Sequence, residues 1–339
     1  MIILFIVLLI ASFYLLSKGS DFLVDGASSI AKKFGISPLV IGLTIVSFGT
    51  SAPELIVSLS SVIGGSGQIA VANILGSNIV NILFILGICA IIKPLTVKSS
   101  TVWKEIPLAV VAALSVLFLG FAEFFKTSNL SSLTSVNIEG ITGYLSMAQG
   151  VILLIFFTIY MYYNFGIAKN TDEIEEIELE NAEKNEVSVP NSNPIWYILG
   201  GLFLLIVGGQ MAVSSAVEIA KLFGISERII GLTIVAIGTS LPELLTSVKA
   251  TLKGEVDIAI GNVVGSNIFN VFFILGISSL FGVLKLSGGE LIDSLVGILA
   301  AIILFASTFV IKKSQIGKLE GIFMILTYFV YLGYLILAK

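Results

Sequence analysis

The chain has 339 residues, of which 56% are hydrophobic and only 12% charged, with a formal net charge of -4. No water-soluble domain of this length carries such a pattern, so the solvent of the protein is lipid. A single cysteine, Cys89, and the lack of histidine exclude an intrachain disulfide, a cysteine metal cluster and the usual zinc ligand, and no basic patch supports nucleic-acid binding.

The first apolar run, residues 2–16, lacks the positive start of a signal peptide and is short for a span of about 20 residues. It is expected to continue through the amphipathic stretch 19–30 as an uncleaved first helix whose polar residues face protein or headgroups. Glycine, proline and charge then punctuate the chain into ten expected spans, at 2–30, 37–63, 68–92, 103–121, 144–164, 195–220, 229–252, 256–281, 291–311 and 319–338. The polar stretch 166–194 carries 8 of the 22 acids, within residues 172–186, and reads as a solvated linker without the spacing of an EF-hand loop. It separates a first half, 1–165, from a second, 195–339.

Residues 41–88 return without a gap as 230–277. Ile-Gly-Leu-Thr-Ile-Val-Ser-Phe-Gly-Thr-Ser-Ala-Pro-Glu-Leu (41–55) matches 230–244 at 12 of 15 positions, and the stretch that opens Gly-Ser-Asn-Ile-Val-Asn (76–88) matches 265–277 at 10 of 13. Five spans per half is an odd number, so the second half enters the membrane from the opposite side and the copies form an inverted repeat. With the N-terminus outside, thirteen lysines fall on the linker side, among them Lys32, Lys33, Lys249 and Lys253, against five basic residues opposite. This places both termini outside and the 166–194 loop in the cytoplasm.

Within the first copy, Ser47, Thr50, Ser51, Glu54 and Ser58 recur at spacings of three and four, one polar stripe on an apolar helix. The second copy gives Thr239, Ser240, Glu243 and Ser247, with Ala236 in place of the first serine. Pro53 and Pro242 should break each helix at Gly-Thr-Ser and free carbonyl oxygens one turn from a carboxylate. On the following helices Asn73, Ser77 and Asn81, and likewise Asn262, Ser266 and Asn270, fall at i, i+4 and i+8 on one face. Together these groups make an all-oxygen cage, which is hard-cation chemistry. Two ionised carboxylates at mid-helix cost about 5–7 kcal/mol, and no lysine or arginine stands within the central parts of these spans to offset them. One Ca²⁺ balances the pair, as do two Na⁺ or two H⁺.

Plainer roles remain open for some positions. Ser58, Ser247, Asn73, Asn262, Asn78 and Asn267 also suit interhelical packing and hydrogen bonding, as do the glycines. The aromatic residues within 156–165 and 328–334 read as lipid-facing or interfacial belt residues, and Cys89 as a small core residue.

At Gly-Thr-Ser-Ala-Pro-Glu-Leu (49–55), Gly-Thr-Ser-Leu-Pro-Glu-Leu (238–244) and the two Gly-Ser-Asn-Ile-x-Asn segments, the chain resembles the calcium/cation antiporter superfamily, most closely a prokaryotic Na⁺/Ca²⁺ exchanger. The resemblance covers essentially the whole chain. It implies an all-α membrane protein of ten helices in two inverted repeats, functional as a monomer in the cell membrane, with one ion site at the bilayer midplane. It implies Na⁺ and Ca²⁺ as transported ions, with no resident cofactor and no enzymatic activity. The family's ligands fall on the side chains of Glu54, Glu243, Ser51, Ser240, Ser77, Ser266 and Asn81 and on backbone oxygens of Ser47, Thr50, Ala236 and Thr239. Asn270 stands where some relatives carry an aspartate that accompanies K⁺ dependence, so asparagine leans against a K⁺ requirement. The first and sixth helices are implied to slide against the remainder. An H⁺/Ca²⁺ exchanger is the nearest alternative. A cation channel is a more distant one, because its acidic ring ordinarily surrounds a multisubunit axis. A membrane hydrolase lacks an evident nucleophile.

Overall fold

A computed structural model describes residues 2–127, 140–169, 193–223 and 236–337. The acidic run 172–186 and the opening of the second motif copy, 230–235, lie outside the described residues. The principal helices are α1 (Ile2–Phe34), α2 (Pro38–Thr50), α3 (Ala52–Ile63), α4 (Gly67–Ile92), α5 (Thr101–Gly120), α6 (Met147–Lys169), α7 (Pro194–Leu222), α8 (Ala236–Thr239), α9 (Leu241–Lys253), α10 (Val256–Phe281), α11 (Gly288–Ser307) and α12 (Lys318–Leu337). Among the described residues eight helices are long and apolar enough to cross a membrane, and α2 with α3, bent by 45°, makes a ninth span. The expected span 229–252 is described only from Ala236 onward, as α8 and α9.

Helix α1 runs unbroken past the expected end at residue 30. Its polar side faces protein: Ser12 and Ser20 are buried, and their hydroxyls donate to the carbonyls of Leu9 and Ser17 in the same helix. The neighbour on this face is α7, and glycines permit backbone contact. A Cβ on Gly201 would stand 2.7 Å from the N of Leu23 and 2.8 Å from the carbonyl oxygen of Gly19. Only a residue without a side chain permits that approach. Thus α1 and α7 pack as one pair.

The core is built from α2–α4 and α8–α10. Helices α4 and α10 are the most deeply placed, and α2 lies on α10 with the carbonyl of Leu43 against Gly265. Helices α5, α6, α11 and α12 surround this centre. Cys89 is buried there, as its size suggests.

Three features escape a helix-only reading. Wide π-helical turns occupy Gly42–Val46, Val80–Leu86, Thr101–Glu105 and Asn270–Leu275. Two of them begin beside the repeated asparagines, Asn81 and Asn270, so the helical period changes for the residues that follow. Two short antiparallel ladders also tie the halves together: β1 (Leu95–Thr96) pairs with β4 (Gln315–Ile316), and β2 (Thr142–Leu145) with β3 (Leu284–Ser287). Finally, not all of the expected lipid-facing aromatics face lipid. Tyr162 and Phe165 are exposed, but Tyr160, Tyr328 and Tyr331 are buried. The Tyr160 hydroxyl donates to the Leu43 carbonyl at 2.7 Å and that of Tyr331 to Asp293 Oδ1 at 2.7 Å. A phenol in hydrocarbon needs such a partner, and hydropathy alone does not reveal one.

Candidate cation site

Pro53 has no N–H to offer the carbonyl of Gly49, and Pro242 none for Gly238. The chain responds in the same way twice. Ser51 turns at φ −81°, ψ 8° and Ser240 at φ −86°, ψ 8°. Helical bonding resumes from Leu55 N to Ser51 O at 3.1 Å and from Leu244 N to Ser240 O at 3.0 Å. Each break places its acid, Glu54 or Glu243, in the first turn of a new helix, where the peptide dipoles favour a negative charge.

Both carboxylates are fully buried, and hydroxyls hold them crosswise. Ser51 Oγ, from the first break, donates to Glu243 Oε1 at 2.9 Å; Ser240 Oγ, from the second, donates to Glu54 Oε1 at 3.4 Å. Ser77 Oγ adds a bond to Glu54 Oε1 at 3.3 Å. Behind each acid an asparagine braces the helix. Asn73 Nδ2 donates to Glu54 O and to Ser58 Oγ at 3.4 and 3.3 Å, and Asn262 Nδ2 to Glu243 O and Ser247 Oγ at 3.4 and 2.9 Å. The Thr50 hydroxyl donates to Asn262 Oδ1 at 3.0 Å.

A second reciprocal set joins α4 to α10. Asn78 Nδ2 donates to Asn267 O, and Asn267 Nδ2 to Asn78 O, both at 3.1 Å. Asn81 Nδ2 donates to Asn267 Oδ1 at 3.1 Å, and Asn270 Nδ2 to Asn78 Oδ1 at 3.0 Å. These bonds spend the amide donors and leave acceptors. Glu54 Oε2, Glu243 Oε2, Asn81 Oδ1 and Asn270 Oδ1 are buried without a hydrogen-bond partner, two from each motif copy, and so is the Ser266 hydroxyl. An unpartnered buried acceptor costs about 1–3 kcal/mol. The surplus is all oxygen, and no ion pair reaches either carboxylate among the described residues. No group of three or more His, Cys, Asp or Glu side chains occurs there either, so a cation at this place depends on hydroxyl, amide and carbonyl oxygens beside two carboxylates.

The structure thus brings together Glu54, Glu243, Thr50, Ser51, Ser240 and Ser77, with Asn81, Asn270 and Ser266 buried on the flanking helices. Thr239 is buried at the second break, and Ala236 opens α8. Ser47 is differently engaged. Its hydroxyl donates to Leu43 O at 2.8 Å, while its carbonyl accepts the Ser51 N–H at 3.1 Å and the Thr50 hydroxyl at 3.4 Å. The crossing pair Asn78 and Asn267, equally suited to packing by sequence, proves to be the brace between the two motif helices. The signal for it was the third residue of each Gly-Ser-Asn.

Residues 4–166 and 193–337 match the model of the sodium/calcium exchanger protein family. The chain is 37% identical over 324 residues to the putative antiporter CaxA of Alkalimonas amylolytica, covering 94% of each chain. It is 32% identical over 343 residues to the sodium/calcium exchanger MaX1 of Methanosarcina acetivorans, covering 97% of each. Its fold is similar to that of the sodium-calcium exchanger NCX_Mj soaked with 10 mM Na⁺ and zero Ca²⁺, with a TM-score of 0.77 and 31% identity over 98% of this chain and 99% of that one. Two broken helices that exchange hydroxyls across a pair of buried acids therefore have a family context, and the chain belongs to the sodium/calcium exchanger protein family.

Proposed function

We propose that the protein is an Na⁺/Ca²⁺ antiporter of the cell membrane, working as a monomer by alternating access through one cage at the bilayer midplane. The observation that carries this reading is the set of four unpartnered buried oxygens, on Glu54, Glu243, Asn81 and Asn270, contributed equally by the two motif copies. Two carboxylates neutralise one Ca²⁺, and the hydroxyls of Ser51, Ser240, Ser77 and Ser266 with carbonyl oxygens near the breaks, at Ser47, Thr50, Ala236 and Thr239, complete its oxygen shell. Na⁺ ions compete for the same oxygens. An empty cage keeps two charges buried at mid-membrane, at a cost of about 5–7 kcal/mol, which opposes movement without cargo and so enforces exchange.

The architecture of the proposal is ten transmembrane helices in two inverted five-helix repeats, with α2–α3 and the span ending in α9 as equivalents. Both termini lie outside and residues 166–194 are a cytoplasmic linker. The glycine-packed pair α1–α7 slides against the core and exposes the cage to one side at a time.

The test is ⁴⁵Ca²⁺ uptake into proteoliposomes under imposed gradients. An outward-directed Na⁺ gradient is expected to drive uptake, while a pH gradient alone drives little. Uptake that follows the pH gradient and ignores Na⁺ would reassign the coupling ion to H⁺.

A further inference from the structure

The exchanger centre is reciprocal, but one contact of the α1–α7 pair with the core is not. Asp21 and Asp25 stand one turn apart on α1, and Lys249 and Lys253 one turn apart on α9, the helix that begins with Glu243. Lys249 Nζ lies 3.3 Å from Asp21 Oδ2, Lys253 Nζ 3.4 Å from Asp21 Oδ1, and Lys253 Nζ 2.6 Å from Asp25 Oδ1. Lys253 Nζ also donates to the Asp21 carbonyl at 3.3 Å. The four side chains are between 26% and 33% exposed, so the network is neither sealed in the core nor freely solvated.

The repeat offset of 189 residues tests whether the other half carries a counterpart. It extends to α1 and α7, since Phe-Gly-Ile-Ser at 34–37 returns at 223–226 and Gly19 corresponds to Gly208. Asp21 and Asp25 then correspond to Gln210 and Ser214, and Lys249 and Lys253 to Ser60 and Gly64. All four counterparts are uncharged and exposed. An ionic clasp therefore closes α1 on α9, while the equivalent contact of α7 with α3 has none.

We infer that Asp21, Asp25, Lys249 and Lys253 form a one-sided latch that holds the α1–α7 pair against α9 and makes the two access states unequal in energy. The inference rests on the alternating-access reading. The latch spans the moving pair and the fixed core, so it must break when the pair slides. It stabilises only the state in which this end is shut. By the charge distribution this end faces the cytoplasm, so the latch favours access from outside. A bias between two states changes apparent affinity through the fraction of competent protein. Removing the latch should therefore weaken cation binding from one face and strengthen it from the other.

The experiment uses the full-length protein in oriented membrane vesicles. In Asp21→Asn/Asp25→Asn, half-saturating external Ca²⁺ is expected to rise by about fivefold and cytoplasmic half-saturating Ca²⁺ to fall, the coupling expected of a modest two-state bias. The reversed network, Asp21→Lys/Asp25→Lys with Lys249→Asp/Lys253→Asp, should return both values toward the parent. Shifts of the same sign at both faces, or no shift, would overturn the latch. A second arm does not depend on affinity. In a Cys89→Ser background, Asp25→Cys/Lys253→Cys joined by a cleavable bis-maleimide should stop exchange, and cleavage of the linker should restore it. Full turnover with the linker in place would show that this contact never opens. Lack of Ca²⁺ exchange in the parent would instead count against the functional reading itself.

Discussion

The centre of the molecule and its outer pair obey different rules. In the most apolar 18-residue stretch of α10, 94% of the residues are buried inside the protein, and 78% in that of α4; the values for α1 and α7 are 17% and 39%. The centre is polar, built from the same motif twice and closed by hydrogen bonds that cross from one motif copy to the other. The outer pair is apolar towards lipid and joined to itself by glycine contacts. It is fixed to the core at one end by charges. A buried polar network is rigid because each lost bond strands a group in a low dielectric. A lipid-facing pair held by close packing has no such penalty for sliding. The contrast fits the proposed division, with ion selection at the centre and movement in the pair.

The largest effect expected is at the carboxylates. Glu54→Gln or Glu243→Gln removes one of the two formal charges of the proposed cage. A unit charge facing a divalent ion is worth about 8 kcal/mol at about 4 Å in an effective dielectric of about 20, and about 4 kcal/mol is lost if the neutral amide oxygen and the remaining ligands recover half of it. Ca²⁺ exchange should fall by about a thousandfold, with the helical content unchanged by circular dichroism. Near-normal exchange in either variant would place the cation elsewhere.

The pair is tested at Gly201. A Cβ there meets the Leu23 nitrogen at 2.7 Å and the Gly19 carbonyl at 2.8 Å, both backbone atoms that cannot turn aside. Gly201→Val should force α1 and α7 apart, at about 1–3 kcal/mol or more for overpacking. The expected readout is a lower melting temperature in detergent together with slower exchange, while equilibrium Ca²⁺ binding to the cage is retained. Loss of binding with unchanged turnover would invert the division of labour.

Asn270→Asp sharpens the charge count. Asn270 Nδ2 donates to Asn78 Oδ1, and Asn78 is itself fixed by its bond to the Asn267 carbonyl. An ionised carboxylate at 270 would face an acceptor and add a third charge that one Ca²⁺ cannot neutralise. It must take up a proton or recruit a monovalent cation. Na⁺/Ca²⁺ competition should acquire a new dependence on pH or K⁺, of about tenfold if one such bond of 1–3 kcal/mol is at stake. Competition curves identical to the parent at every pH and K⁺ concentration would remove Asn270 from the ion path.

The smallest effect is expected at Tyr160→Phe. The hydroxyl ties α6 to the Leu43 carbonyl, which also accepts from Ser47 on the first motif span. Its loss should cost about 1 kcal/mol of stability and leave affinity nearly unchanged, since Ser47 still occupies that carbonyl. A large loss of affinity would show that α6 positions the cage.

Much of this was legible in the residues alone. A glutamate behind a proline in an apolar run, occurring twice at an offset of 189 residues, is too costly for filler. Proline chemistry located the breaks at Ser51 and Ser240 because a missing N–H acts locally. The membrane class, the halves and the acidic candidates follow from similarly local facts. The partners do not. That Ser51 reaches Glu243, that Asn78 and Asn267 bond reciprocally, and that Tyr160, Tyr328 and Tyr331 turn inward depend on contacts between segments far apart in the chain. Hydropathy scores a tyrosine or asparagine without knowing what faces it. The wide turns at Asn81 and Asn270 escaped the helical period for the same reason.

The sequence by itself determined that this is a lipid-embedded chain with a duplicated acid-bearing motif, because transfer costs and proline geometry are properties of single residues and short segments. Only the tertiary structure decided which oxygens are buried without partners near the two acids, which amides bond across the motif helices and why Asp21 and Asp25 meet Lys249 and Lys253. Those outcomes depend on the packing of distant helices, where a shift of a few ångströms makes or breaks a hydrogen bond.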